Sequence, residues 1–495
     1  MEIDFSKWEY EFQQRNTQPV LMADTWLRAL NYTFKEEIAL PVADCMDYIF
    51  TADGKGWVKK DQKRHILSLM REACAHEKYF IYIRERLEKR VLDLREVVAR
   101  ILHTYERANA QELKQLWQDY TIALEHIVPW FWIPWYITEE NIIVDKARFL
   151  FEPYKHDVEK ITDFNNALMI LITSEKKTKF QKEQFEFIKL LDFNTQGIDT
   201  DKFTQAKVDY LKNFAFLKAF VVPPCSSTSM EELDQQIKEA RDRNHFEDFS
   251  VQEKRLRKEV EIKKQLIEII SKNAELIQFI VWAQEFGYLL TASVEDIYEL
   301  ISHTYLFHQK IAQVLKLSYI DLSALTSDEI SRSLNGEINA KDLNLGARQQ
   351  GYFFLQENGK RREAFGLEAL ELSAEINKKV NLVDRKNIKE MQGQPAMPGI
   401  VKAKVRLMLT AHDIDLLVPG EILVASMTSP DYVPAMRQAA GIITSEGGLL
   451  CHAAIISREL GKPCVVGTKI ATQVLSTGDE IEMDGTTGKI ILINK

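Results

Sequence analysis

The chain is expected to be a multidomain protein in which a mostly α-helical N-terminal body precedes a compact C-terminal α/β domain. Glycine placement carries the division: of 20 glycines, 11 lie between residues 391 and 495 and only 9 in the first 390. Hydrophobic periodicity carries the class: apolar residues recur at spacings of three and four before residue 390, and in short runs bounded by turn residues after it. A chain of 495 residues has room for about two to four domains with real cores. We divide it into a helical lobe over 1–222, a second helical lobe over 223–385, a hinge over 386–398 and the α/β domain over 399–495.

In chain order, helices are predicted over Gln62–Leu102, Ala110–Glu125, Val158–Leu171, Gln181–Leu191 and Lys254–Ile311. The run Ile127–Ile137 holds three tryptophans beside two prolines. It reads as core packing between helices, with a wall for a planar ligand as the alternative. Pro223-Pro224-Cys225-Ser226-Ser227-Thr228 is the best internal break. Glu231–Lys264 is dense in charge of both signs and reads as a solvated face, with a docking surface as the alternative. Asn381–Met397 is polar, carries Pro395 and is followed by Pro398, which suits a connector. Strands are then expected at Lys402–Leu409, Glu421–Ala425, Gly441–Thr444, Cys464–Gly467, Glu480–Met483 and Lys489–Ile493.

Composition excludes several functions. A net charge of −9 leaves no basic surplus for nucleic acid. The five cysteines show no paired spacing, so neither a disulfide framework nor a zinc site is indicated. No apolar run approaches the roughly 18 residues of a membrane span, and Met1–Phe5 lacks the layout of a signal peptide. A cytoplasmic protein is expected. No phosphate loop, dinucleotide fingerprint or His-Glu-x-x-His is present, and no carboxylate cluster declares a metal site. Asp484-Gly485-Thr486-Thr487-Gly488-Lys489 reads as a hairpin turn between the last strands.

The most informative stretch is Gly447–Gly467. The run Gly441–Thr444 reads as a buried strand, and Gly447-Gly448 can supply a tight turn. Ala453, Ile455, Ile456 and Leu460 then fall at helical spacing until Gly461 and Pro463 stop the helix. His452 therefore stands at a helix start, where free N–H groups and the helix dipole favour a phosphate. An imidazole there can attack a phosphoryl group while neutral, as its ordinary pKa near 6.5 allows. The alternative for a lone Gly-Gly and histidine is a plain strand–turn–helix unit whose histidine caps the helix.

The C-terminal segment as a whole decides between them. Gly393–Gly399, Gly420–Ala425, Met427–Met436, Thr444–Gly448, His452–Ile455, Arg458–Gly461 and Asp484–Gly488 stand in one register. Together they resemble the swivelling phosphohistidine domain of the phosphoenolpyruvate-utilising enzymes, among them phosphoenolpyruvate synthase, pyruvate phosphate dikinase and rifampin phosphotransferase. The resemblance implies that His452 is the phosphoryl-carrying nucleophile. It implies that Gly447, Gly448, Cys451 and Arg458 surround the phosphate, with Thr428 and Ser429 in support, and that no metal is held here. One position departs: that family usually has Thr, Ser or Asn two residues before the histidine, where this chain has Leu450. Cys451 is read as a small buried residue or a weak polar contact.

More weakly, Ala283–Leu289 and Leu322–Ile330 resemble the helical region preceding that domain in the synthase and rifampin groups. Thr326 and Glu329 read as a reciprocal helix cap. Where those relatives often carry arginine, this chain has Leu290-Thr291-Ala292-Ser293. Full-length relatives also hold an ATP-grasp module or a phosphoenolpyruvate-binding barrel, and neither is visible in this sequence. The resemblance thus implies a phosphotransferase component whose phosphodonor, ATP with magnesium or phosphoenolpyruvate, sits on a partner chain, and whose acceptor is a small molecule. The alternatives are an enzyme subunit resembling the rifampin or synthase enzymes, whose helical body binds the acceptor, and a non-catalytic regulatory or scaffold protein with a degenerate domain.

Overall fold

A computed structural model describes residues 3–13, 19–41, 46–193, 200–218, 227–242, 247–380, 388–409, 413, 416–428 and 432–494. The fold is a helical body with a C-terminal sheet domain, and the chain separates into two compact units. One comprises Met1–Tyr136, Lys218–Ser227 and Ser293–Leu382, and the other Ile137–Leu217, Thr228–Ala292 and Val383–Lys495. Each unit is therefore assembled from distant stretches of sequence, and both 1–222 and 223–385 contribute to both units. Ser429 and most of the Pro223–Thr228 break lie outside the described residues.

The first unit, in a body that is mostly helical as expected, also holds a sheet that the sequence reading did not name. Five strands, β1 (Trp8–Gln13), β2 (Tyr48–Thr51), β3 (Lys55–Lys59), β4 (Tyr352–Glu357) and β5 (Lys360–Phe365), form an antiparallel sheet in the order β1-β3-β2-β4-β5. Trp8, Ile49, Trp57, Phe353 and Leu355 pack in its core. The β4–β5 hairpin turns through Asn358 and Gly359, both at positive φ (51° and 72°), the conformation that Asn-Gly adopts most readily. Thr326 and Glu329 do form the reciprocal cap, with the Glu329 N–H on Thr326 Oγ1 at 3.3 Å and the Thr326 N–H on Glu329 Oε2 at 2.9 Å.

The aromatic run is core. Trp130 and Tyr136 are buried, Trp132 packs edge-to-face with Trp26 and tilted against Tyr48 at centroid distances of 5.7 and 5.4 Å, and Trp130 Nε1 donates to Glu37 at 3.2 Å. Glu37, Glu36 and His126 bring their ligand atoms within 4.8 Å of one another. The fully buried Glu37 carboxylate is already gripped by Arg86 and Arg90. Burial raises its pKa, but the hydrogen bonds from His126 and Arg90 outweigh that and hold it down to about 2.

The second unit sets the C-terminal sheet domain against helices of the body. Those that matter here are α1 (Phe164–Ile172), α2 (Lys179–Phe193), α3 (Glu247–Ile270) and the portion of α4 (Ala274–His303) up to Ala292. The single run predicted over Lys254–Ile311 is interrupted at Ser271–Asn273 and again at Thr304. The sheet has eight strands: β6 (Glu390–Gln392), β7 (Gln394–Met397), β8 (Ile400–Met408), β9 (Ile422–Ala425), β10 (Gly441–Thr444), β11 (Cys464–Val466), β12 (Glu480–Asp484) and β13 (Lys489–Asn494). Their order is β6-β13-β12-β8-β9-β10-β11-β7. Strands β8 to β11 are parallel, and β9, β10 and β11 are buried along their whole lengths, as parallel strands covered on both faces are. Six strands were legible as runs. Strands β6 and β7 fall inside the stretch expected as a hinge over 386–398, where each pairs with one neighbour, β13 and β11. Asp484 closes the β12–β13 hairpin by accepting from the Thr486 N–H (2.8 Å) and the Thr487 hydroxyl (2.7 Å).

Candidate functional site

Three successive parallel strands place the site at their carboxyl ends, the position where open α/β sheets gather functional groups. Strand β9 is followed by Thr428, β10 by the Ser445–Cys451 turn, and β11 by Gly467. The turn is held from within: Thr444 Oγ1 donates to the Glu446 carbonyl at 2.6 Å, and the Ser426 hydroxyl donates to the Glu446 carboxylate. Gly447 adopts φ 101°, and a Cβ there would lie 2.7 Å from Cys451 Sγ. The Cys451 N–H reaches back to the Gly448 carbonyl at 3.0 Å. Cys451 is the extended cap of α5 (His452–Leu460), and Gly461 ends that helix in the left-handed conformation (φ 67°). This is the strand–turn–helix unit its sequence predicts.

His452 is the first residue of α5 and is half-buried. Thr428 Oγ1 lies 2.9 Å from its Nδ1, the ring of Phe180 lies 5.7 Å away, and Nε2 is buried. Of the expected site residues, Thr428 thus stands against the His452 ring, and Cys451 precedes it as the helix cap, with Gly447 packed on Cys451. Arg458 is farther along α5 and buried. Its Nη2 pairs with Glu259 of α3 at 3.2 Å, and its Nε and Nη1 have no hydrogen-bond partner among the described residues. Burial pulls the Arg458 pKa down, opposed by Glu259.

A cavity of about 40 Å³ opens beside the histidine, lined among others by His452, Arg458, Phe180, Tyr288, Leu450 and Lys176. It has room for a few waters or a phosphoryl group. Leu450 faces Gly287 of α4, where an added Cβ would touch Leu450 Cδ2 at 3.4 Å. The residue that departs from the usual pattern therefore has a packing role: it closes the seam against α4.

Sequence reasoning missed what the helical body contributes. Gly448 approaches so closely that a Cβ would lie 1.9 Å from the Thr138 carbonyl oxygen, and Asn141 Oδ1 accepts the Leu449 N–H at 3.1 Å. Glu459 is nearly buried between Gln181 Nε2 (2.5 Å) and Lys177 Nζ (3.6 Å). Burial pushes its carboxyl up, opposed by Lys177. Arg255 donates to the Glu459 carbonyl and Arg437 to Gln184. The closely spaced Gly447-Gly448 was the only signal for any of these, and it spoke to backbone approach without naming the neighbour.

Residues 417–488 match the family described as PEP-utilising enzyme, mobile domain. The C-terminal segment is such a mobile domain. Curated relatives agree over the same stretch. A probable phosphoenolpyruvate synthase of Archaeoglobus fulgidus is 52% identical over 98 residues, which is 20% of this chain and 13% of that protein. A phosphoenolpyruvate synthase of Pyrococcus furiosus is 53% identical over 100 residues, 20% of this chain and 12% of its own. An uncharacterized phosphotransferase of Bacillus subtilis, YvkC, is 41% identical over 113 residues, 23% of this chain and 14% of its own. The chain thus matches these relatives over only 12 to 14% of their lengths, and the likeness is confined to the mobile domain and its immediate surroundings. Among the described residues no helix is long and apolar enough to cross a membrane.

Proposed function

We propose that the chain is a phosphotransferase component that carries a phosphoryl group on His452 of the mobile domain. The observation that carries this reading is the placement of His452 at the start of α5 with Thr428 on Nδ1. In the tautomer in which Nδ1–H donates to the Thr428 hydroxyl, the lone pair is on Nε2, the nitrogen that attacks. A new Nε2–P bond forms as the bond from phosphorus to the donor's leaving oxygen breaks. The first N–H groups of α5 and the Gly447-Gly448 turn are set to hold the oxygens. The phosphoryl then passes to an acceptor.

Burial of Nε2 in the docked arrangement supports a mobile domain that leaves its seat to meet the donor. The tether for that movement lies ahead of Glu390, since β6 and β7 belong to the sheet. The donor, ATP with magnesium or phosphoenolpyruvate, belongs in this reading to a partner chain, and the setting is cytoplasmic. In a second reading the helical body, whose helices α1, α2 and α4 reach the His452 cavity, itself binds a small-molecule acceptor. Intact-protein mass spectrometry at alkaline pH, with His452→Ala as control, tests the carrier role. Phosphate on His452 in protein from its native cells is expected. An unmodified histidine under conditions that preserve phosphohistidine would favour the regulatory or scaffold alternative.

A further inference from the structure

We propose that the cavity shared by the mobile domain and the helical body is a storage site that holds the phosphoryl group of phosphohistidine 452 and slows its hydrolysis when the domain is docked. The proposal rests on the carrier reading above. Two buried N–H groups of Arg458, Nε and Nη1, have no partner among the described residues, and Arg458 lines the same cavity as His452. A buried guanidinium with open donors is an anion site in waiting, because each unfilled donor has lost its water without gaining a partner. Glu259 on α3 holds the third nitrogen at 3.2 Å and so fixes the plane of the guanidinium from outside the mobile domain.

The rest of the cavity suits a small dianion that must not meet water. Its volume of about 40 Å³ lies beside the His452 ring and admits a phosphoryl group. Lys176 stands at its rim, with Nζ 5.6 Å from the Tyr288 ring centroid, and brings a second positive charge. Phe180, Ile172, Leu449 and the Leu450–Gly287 contact make part of the wall apolar, beside the polar Thr173, Ser174 and Gln181. Hydrolysis needs a water oxygen to attack phosphorus while the Nε2–P bond breaks, giving neutral imidazole and dihydrogen phosphate. The guanidinium and ammonium hold the oxygens that this water would have to approach, and the apolar part of the lining limits the directions from which it can come.

The test loads the full-length chain with potassium phosphoramidate. Nε2 attacks phosphorus, the P–N bond of phosphoramidate breaks, and ammonia leaves, so no partner chain is needed. The lifetime of the phosphorylated chain is then followed by intact mass at neutral pH, with the urea-unfolded chain as the unprotected reference. The native chain is expected to keep its phosphoryl at least about tenfold longer than the unfolded one, as two charge-assisted hydrogen bonds permit. Arg458→Lys is expected to shorten the lifetime about tenfold, and the exposed, structurally neutral Lys176→Ala about threefold. Leu450→Ala, which opens the seam against Gly287, should shorten it as well. Equal lifetimes for the native and unfolded chains, or for the native chain and all three variants, would overturn the storage site while leaving the carrier reading intact. Failure of phosphoramidate to modify His452 at all would overturn both.

Discussion

Gly448 offers the sharpest test of how the mobile domain is seated. An alanine Cβ there would lie 1.9 Å from the Thr138 carbonyl oxygen and 2.7 Å from Asn141 Oδ1, where ordinary contact begins at 3.4 Å. One of the two backbones must retreat by about 1.5 Å, and neither is the end of a flexible side chain. Overpacking of this kind costs about 1–3 kcal/mol. The retreat also stretches the 3.1 Å bond from the Leu449 N–H to Asn141, worth about 1 kcal/mol more. A loss near 3 kcal/mol corresponds to a fall of about 6–12 °C in Tm for a unit of this size. Differential scanning calorimetry of Gly448→Ala reads it, with Gly346→Ala as control, because Gly346 has nothing within 4 Å of an added Cβ. If Gly448→Ala melts within about 1 °C of the parent, the close seating of this turn on residues 138–141 is wrong.

Other consequences can be checked separately. Thr428→Val removes the hydroxyl on His452 Nδ1 and should slow phosphoramidate loading about fivefold with little change in Tm; an unchanged rate would deny Thr428 any part in orienting the ring. Glu37→Gln leaves Arg86 and Arg90 without their buried carboxylate and should cost about 3–5 kcal/mol at neutral pH, a loss that denaturant titration would reveal. His308 is fully buried, and burial, against the pull of the Thr304 carbonyl at 2.8 Å, lowers its pKa to about 4. A depressed histidine leaves stability intact above its unfolded pKa and erodes it as pH falls toward the folded value. Roughly 3 kcal/mol should therefore disappear between about pH 6.5 and 4. His308→Asn should flatten most of that slope, and an identical slope in the variant would assign it elsewhere.

The mobile domain was legible because its signals are local. Strand β10, the glycine turn, the α5 start at His452 and the Gly461 stop each depend on residues within a few positions. Thr326 and Glu329 were legible for the same reason. The sheet of the first unit was not, because β2 finds β4 across most of the chain, and helical spacing between them dominated the reading. Asn358-Gly359 was nevertheless a hairpin signal in plain view. The residues that complete the site, Glu259, Lys176, Phe180 and Asn141, are ordinary members of helices and loops. Only tertiary packing brings them to the Gly447-Gly448 turn and His452, and no periodicity marks a helix face that will meet such a turn.

The antiparallel sheet of the first unit also governs how the chain must be made. Strand β2 pairs Thr51 with Phe353, so its partner leaves the ribosome roughly 300 residues later. At about 5–20 residues per second that wait is some tens of seconds. During it the hairpin β2–β3 presents an unpaired edge carrying Tyr48, Ile49 and Phe50, which are buried in the finished fold. Such an edge invites pairing with other chains. The slow closure of this long loop makes chaperone engagement early in synthesis a matter of topology rather than of stability.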